Sequence, residues 1–247
     1  MKSFAYLRCL SVIAMITVAL FAPSGPASYG ATAADSYRHM VEAIKSLKTY
    51  QVTVHEQMVL QPTVPGAKAR TINSTDHIYY KAPNRFYLNN DGLMGGAEMV
   101  CDGKNEFVYS RFTQQYASNP QSAEIVSNIL AGLAGNKIVW TSAVPAKLNG
   151  VAVVLLNGKI SGPGRVTQVK LYLRKSDSLP VWAEVKYPSI SSATGNGIEI
   201  TRKESFTNQR INEPISDSVF RFNPPGGATK VDSIRDLPAG MAAEGLG

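Results

Sequence analysis

The apolar residues of this 247-residue chain fall into three successive patterns. From Leu10 to Phe21 they run on, interrupted only by Ser11 and Thr17. Between residues 34 and 48 they return every three or four positions, as Tyr37, Met40, Val41, Ile44 and Leu47. That spacing puts one apolar stripe on a helix. Asp35 in the first turn and Lys45 and Lys48 in the last suit the helix dipole. From Tyr50 the period drops to two. Tyr50, Val52, Val54, Met58 and Leu60 share one face, and Gln51, Thr53, His55 and Gln57 share the other, which predicts a strand with one dry side.

The period of two then persists. Strands are expected over 70–81, 85–89, 98–101 and 105–111, separated by Pro83, Asp91-Gly92, Gly95-Gly96 and the hairpin signal Asp102-Gly103. A second helix is expected over 120–133, with Ile125, Ile129, Leu130 and Leu133 as its stripe, Asn119 as cap and Pro120 at the first helical position. From Ile138 onward the pattern is strand and turn again. Val169, Leu171 and Leu173 alternate with Lys170, Tyr172 and Arg174, and further strands are expected over 179–187 and 198–207. A short turn or helix is expected over 211–218. Phe220 and Phe222 are expected on one side of a last strand, stopped by Pro224-Pro225-Gly226.

Short turns between strands imply antiparallel neighbours. A long sheet with this alternation must hide one face, and two helices are too few to cover it flat. The expected fold is therefore mainly β (α+β): a strongly curved antiparallel half barrel of about eleven strands, with two helices as a lid on the concave face.

The first pattern reads differently. Lys2 and Arg8 precede the apolar run, and Pro23, Gly25, Pro26 and Ala31-Thr32-Ala33 follow it, as in a cleaved secretory leader. Cleavage is expected after Ala27 or Ala33. The domain division is residues 1–33 as signal peptide, 34–231 as one β domain and 232–247 as a flexible tail, and the expected location is the periplasm. Of two cysteines, only Cys101 lies outside the leader, so no intramolecular disulfide is expected; its setting between Val100 and Asp102 in an apolar strand reads as a small buried hydrophobe. The formal charge is +7, but the basic residues are scattered and form no stripe with interleaved aromatics, so nucleic acid is not an expected partner.

Chemistry-bearing motifs are sparse. The chain has no Gly-x-Ser-x-Gly, His-Glu-x-x-His or Cys-x-x-Cys sequence, and no phosphate-cradling glycine loop. His55 and His77 fall on adjacent expected strands beside Glu56 and Asp76, but strand neighbours point to opposite faces. No metal, cofactor or catalytic residue is assigned. The carboxylate pairs Asp76 with Glu98 and Glu184 with Glu204 are expected at the surface.

Four stretches carry a family resemblance: Lys81-Ala82-Pro83-Asn84-Arg85-Phe86, Cys101-Asp102-Gly103-Lys104 running into Phe107-Val108-Tyr109, Leu179-Pro180-Val181-Trp182, and Phe220 to Ala228. In this order the chain resembles the periplasmic lipoprotein carrier superfamily (LolA/LolB-like), in particular its branch of predicted periplasmic proteins of unknown function. The resemblance implies an unclosed barrel with a helical lid over a cavity that takes acyl chains. It also implies that Arg85, at the proline-arginine motif, sits at the cavity mouth. Cavity-lining residues are expected to be Val52, Val54, Phe86, Tyr109, Leu171 and Trp182, with Ile125 and Ile129 on the lid. The expected function is non-enzymatic binding of an acyl chain, lipid or acylated lipoprotein by a monomer, with transient contact to a membrane-bound donor or acceptor. The alternatives are an envelope-stress sensor and a structural envelope protein.

Overall fold

The computed structural model describes residues 32–92, 96–120, 138–162, 165–191, 197–233 and 237. The first described element is helix α1 (Ala33–Lys45). Thr32 caps it: the Thr32 hydroxyl accepts from the Asp35 backbone N–H at 3.1 Å, and the Asp35 carboxylate accepts from the Thr32 N–H at 3.2 Å. This reciprocal box satisfies two otherwise orphaned donors. The helix ends three residues earlier than its apolar stripe suggests. Ladder pairing of Thr49 with Lys81 begins at once, leaving residues 46–48 for the turn, while Leu47 still reaches the core.

Six strands follow in meander order: β1 (Thr49–Pro62), β2 (Arg70–Lys81), β3 (Arg85–Asn90), β4 (Ala97–Cys101), β5 (Asn105–Ser110) and β6 (Gln115–Pro120). A second meander comprises β7 (Ile138–Leu148), β8 (Val151–Gly162), β9 (Arg165–Arg174), β10 (Pro180–Ser191) and β11 (Gly197–Ile211). The two meanders join through antiparallel pairing of β1 with β11. A 3-10 turn (Asp217–Phe220) leads to β12 (Thr229–Lys230), which lies parallel to β6. The result is one open, curved, mixed sheet of twelve strands in the order β12-β6-β5-β4-β3-β2-β1-β11-β10-β9-β8-β7.

Turn chemistry explains the hairpins. Asp102 Oδ1 accepts from the backbone N–H groups of Lys104 and Asn105, both at 2.7 Å, and Gly103 takes φ +99°. Asn149 and Gly150 both have positive φ between β7 and β8, as a tight two-residue hairpin demands.

Among the described residues there is one α-helix rather than the expected two. Asn119 and Pro120 belong to the β5–β6 ladder, opposite Glu106 and Asn105. A proline is tolerated there because it ends a strand near the sheet margin. The rest of the expected second helix, including Ile125 and Ile129, lies outside the described residues. Phe220 and Phe222 are also not on a strand. Phe220 is buried in the 3-10 turn, whose Ser216 hydroxyl accepts from the Ser218 N–H at 3.3 Å, and Phe222 stacks on Phe107 with ring centroids 5.1 Å apart.

The main core lies between α1 and the concave face. Tyr37, Met40, Val41 and Ile44 of the helix pack with Val52, Val54, Ile78, Phe86, Leu88, Leu156, Leu171 and Ala183. The helix crosses β7 and β8, where Tyr37 meets Trp140 at 5.0 Å between ring centroids. Gly158 makes room for that indole: a Cβ there would fall 2.8 Å from Trp140 Cε3.

Candidate functional site

The ladder register divides the long strands into two faces. On β1 the inner residues run Tyr50, Val52, Val54, Glu56, Met58, Leu60, and the first three are buried. Across the ladders Val54 pairs with Phe206 and Asp76, Glu56 with Glu204, and Met58 with Arg202. Each of these is in phase with apolar neighbours, so the strand period sends two carboxylates of β1 and β2, and the Arg202-Glu204 pair of β11, to the concave side.

There they form an ionic row. Arg202 Nε lies 3.1 Å from Glu56 Oε1, and Arg202 Nη2 contacts Glu204 Oε1. Asn90 Nδ2 donates to Asp76 Oδ1. Glu204 and Asp76 have no exposed surface, Arg202 is 4% exposed, and the Glu56 side chain retains about a tenth of its exposure. Burial pushes the Glu204 carboxyl up to about 8 against the lowering pull of Arg202. Burial also raises Asp76 to about 7, opposed by the Asn90 hydrogen bond. Desolvation works against the Arg202 charge too, but Glu204 and Glu56 more than offset it and hold the guanidinium protonated. Three carboxyls thus face one guanidinium. Asp76 Oδ2 and Glu204 Oε2 have no hydrogen-bond partner among the described residues.

The row is a boundary. On its helix side the inner face is closed: Val54 and Phe86 are 0% exposed and Leu171 is 1%. On its far side Met58, Leu60, Ile72, Ile198, Ile200 and Tyr187 are each only half-buried. Leu60 pairs with Ile200, Met58 with Ile72, and Tyr187 with Ile200, so these side chains are contiguous on one face. The concave surface beyond the row is therefore an apolar strip with a charged end.

The expected lining residues divide between the faces. Val52, Val54, Phe86 and Leu171 come together in the core under α1. Tyr109 pairs with Glu98 and Tyr116, and Trp182 pairs with Ser205 and packs edge-on against Tyr172 at 5.1 Å; both are on the convex face. Each neighbours an inner residue, Val108 and Ala183, and strand alternation sends it the other way. Arg85 is out of phase with Phe86 and also faces outward. It pairs with Asp217 at 2.6 Å, and Lys81 does the same at 2.6 Å. Those two partners hold the exposed Asp217 carboxyl down at about 2.

The expected surface placement of the carboxylate pairs is corrected at Asp76 and Glu204, which are fully buried. Their supposed partners diverge from them: Glu98 is opposite Asn89 rather than Asn90, and Glu184 is opposite Lys203 rather than Glu204. His55 and His77 lie on the convex side, beside Thr75 at 3.3 Å and Thr53 at 3.4 Å respectively. Cys101 is a free, buried thiol whose pKa is raised by burial. A shallow depression of about 370 Å³ lined by Val151, Ala152, Arg174, Lys175 and Ser176 lies by the β7–β8 and β9–β10 turns, on other residues than the row and the strip.

Part of the chain is similar to a family model, and the chain is similar to several known proteins. Residues 33–134 match the model of a family described as "Predicted periplasmic protein (DUF2092)". An uncharacterized protein of Methanocaldococcus jannaschii is 26% identical over 157 residues, covering 62% of this chain; the chain spans 42% of that protein's length. A LolA superfamily protein of Nitrosomonas europaea is similar in structure, with a TM-score of 0.33 and 10% identity over 78% of this chain and 99% of that one. The Pseudomonas aeruginosa MucA/MucB complex contains a chain with a TM-score of 0.38 and 14% identity, over 77% of this chain and 61% of that one.

Proposed function

We propose that this is a non-enzymatic periplasmic binding protein that holds the acyl chain of a lipid or acylated lipoprotein on its concave face. The single observation that carries this reading is the half-buried strip of Met58, Leu60, Ile72, Ile198, Ile200 and Tyr187, set beside a closed core on the same strands. Covering such a strip is worth about 25 cal/mol per Å² of apolar surface removed from water. Each buried CH₂ of an acyl chain adds about 0.8 kcal/mol. Affinity of this kind requires no metal and no covalent step.

The binding surface in this reading is displaced from the expected lining. Val52, Val54, Phe86 and Leu171 support it as packed core, and the ligand lies on the open ends of β1, β2, β10 and β11. Residues 1–33 act as the leader. The Thr32 cap bears on its cleavage: a cut after Ala27 keeps the cap on the mature chain, and a cut after Ala33 removes it. The mass of the secreted chain distinguishes the two.

Native mass spectrometry of chain purified from the periplasm, followed by titration of the delipidated chain with an acyl probe, tests the binding reading. Co-purifying lipid or saturable probe uptake is expected, and Leu60→Asp is expected to abolish it. A clean apo mass with no uptake overturns the reading.

A further inference from the structure

Resting on that reading, we propose that the buried row of Glu56, Asp76, Arg202 and Glu204 is the head-group subsite of the strip and takes an ammonium group, so that the ligand is an amine-headed amphiphile.

The row is out of balance. Arg202 is engaged by Glu56 and Glu204, which leaves Asp76 with no cation of its own. Asn90 serves only one of the Asp76 oxygens. Asp76 Oδ2 and Glu204 Oε2, on side chains with no exposed surface, lack hydrogen-bond partners among the described residues. Such atoms are costly to bury unpaired. An ammonium group brings three donors and one positive charge, which meets both deficits at once. Where the row is ionised, from about pH 8 upward, an anionic head would add to the surplus of carboxylate.

Position makes the same point. Met58 lies next to the row on β1 and pairs with Arg202, so the strip begins where the row ends. Tyr187 joins them: its ring belongs to the strip and the charge of Arg202 acts on its hydroxyl. Glu56, the most exposed of the carboxylates, stands at the strip side of Val54 and offers the first contact to an incoming head. A chain laid along Met58, Leu60 and Ile200 would place its head at Glu56.

The whole chain carries a formal charge of +7. Non-specific adsorption would therefore favour an anionic amphiphile, and a preference for a cationic one has to come from a local site.

The test compares three probes of equal chain length on the delipidated full-length mature protein by calorimetry at pH 8 and low salt: dodecylammonium, dodecanol and dodecanoate. Dodecylammonium is expected to bind at least tenfold more tightly than dodecanoate and more tightly than dodecanol. In Asp76→Asn/Glu204→Gln the ammonium preference is expected to vanish while dodecanol affinity is retained. Glu56→Gln, at the more exposed margin, provides the same reading should the double variant fail to fold. Equal affinity for all three probes, or preference for dodecanoate, overturns the head-group assignment and leaves the apolar strip standing. No binding of any probe overturns both.

Discussion

Strand β1 passes through two environments within one run of alternating residues. Its first half, Tyr50, Val52 and Val54, is sealed beneath α1 with Phe86, Leu171 and Met40. Its second half, Met58 and Leu60, has the same polarity pattern but keeps part of its surface in solvent. Glu56 marks the transition. The comparison shows that a period of two specifies which residues turn inward and not what meets them there. The closed half owes its dryness to α1, which precedes β1 directly and folds back over it from the turn at residues 46–48. The half-open end has the same strand chemistry without that cover.

The largest expected effects break the closed half. Phe86→Ala should destabilise the fold by about 3–5 kcal/mol in chemical denaturation, because a 0% exposed ring leaves a cavity that its neighbours fill incompletely. Leu60→Ala, at the half-open end, should cost about 1 kcal/mol or less by the same measurement, since the residue is already part-solvated, while weakening acyl-probe binding. Equal costs for the two would erase the distinction between the ends.

Next comes Gly158→Ala, expected to cost about 1–3 kcal/mol through overpacking. The new methyl would fall 2.7 Å from Ile138 Cγ2 and 2.8 Å from Trp140 Cε3, and the displaced indole should loosen α1. Tryptophan fluorescence and a denaturation curve both report it.

The boundary row adds a pH dependence. Asp76 and Glu204 have folded pKa values raised by burial to about 7 and about 8, above ordinary carboxylate values. The folded state therefore holds protons that the unfolded state releases. This contribution is fully present below about pH 4 and is lost as pH rises toward 8. Between pH 5 and pH 8 the Tm should fall, and Asp76→Asn/Glu204→Gln should flatten that slope. A slope of opposite sign, or one unchanged in the double variant, would show the row to be ionised throughout.

The smallest effect is at the helix entry. Thr32→Ala should cost about 1 kcal/mol, the usual value of an N-cap, measured on a chain that retains residue 32.

Much of this architecture is legible in the residues. The helix stripe from Tyr37 to Leu47, the Asp102-Gly103 and Asn149-Gly150 turns and the in-phase apolar residues of β1, β2 and β9 are local features, because side-chain period and turn dihedrals depend on near neighbours. The ionic row was signalled as well. Glu56 stands in phase with Val54 and Met58, Asp76 with Ile78 and Tyr80, and Arg202 and Glu204 with Ile200 and Phe206. An acid in an apolar phase is a buried acid if that face is covered, and coverage is what a period cannot report. The misplaced lining residues have a related cause. Tyr109 and Trp182 are aromatic and strand-borne, but their phase relative to Val108 and Ala183 sends them to the convex face.

By itself, then, the sequence determined the first helix, most of the strands with their antiparallel hairpin neighbours, and which residues of a strand share a face, since these follow from side-chain alternation and backbone freedom over a few residues. Only the tertiary structure decided that β1 joins β11 across more than a hundred residues, that this pairing sets Glu56 opposite Glu204 and Met58 opposite Arg202, and that α1 closes one end of the concave face. Those outcomes depend on register between distant strands and on which apolar surface the helix buries, and both are settled by the packing of the whole chain.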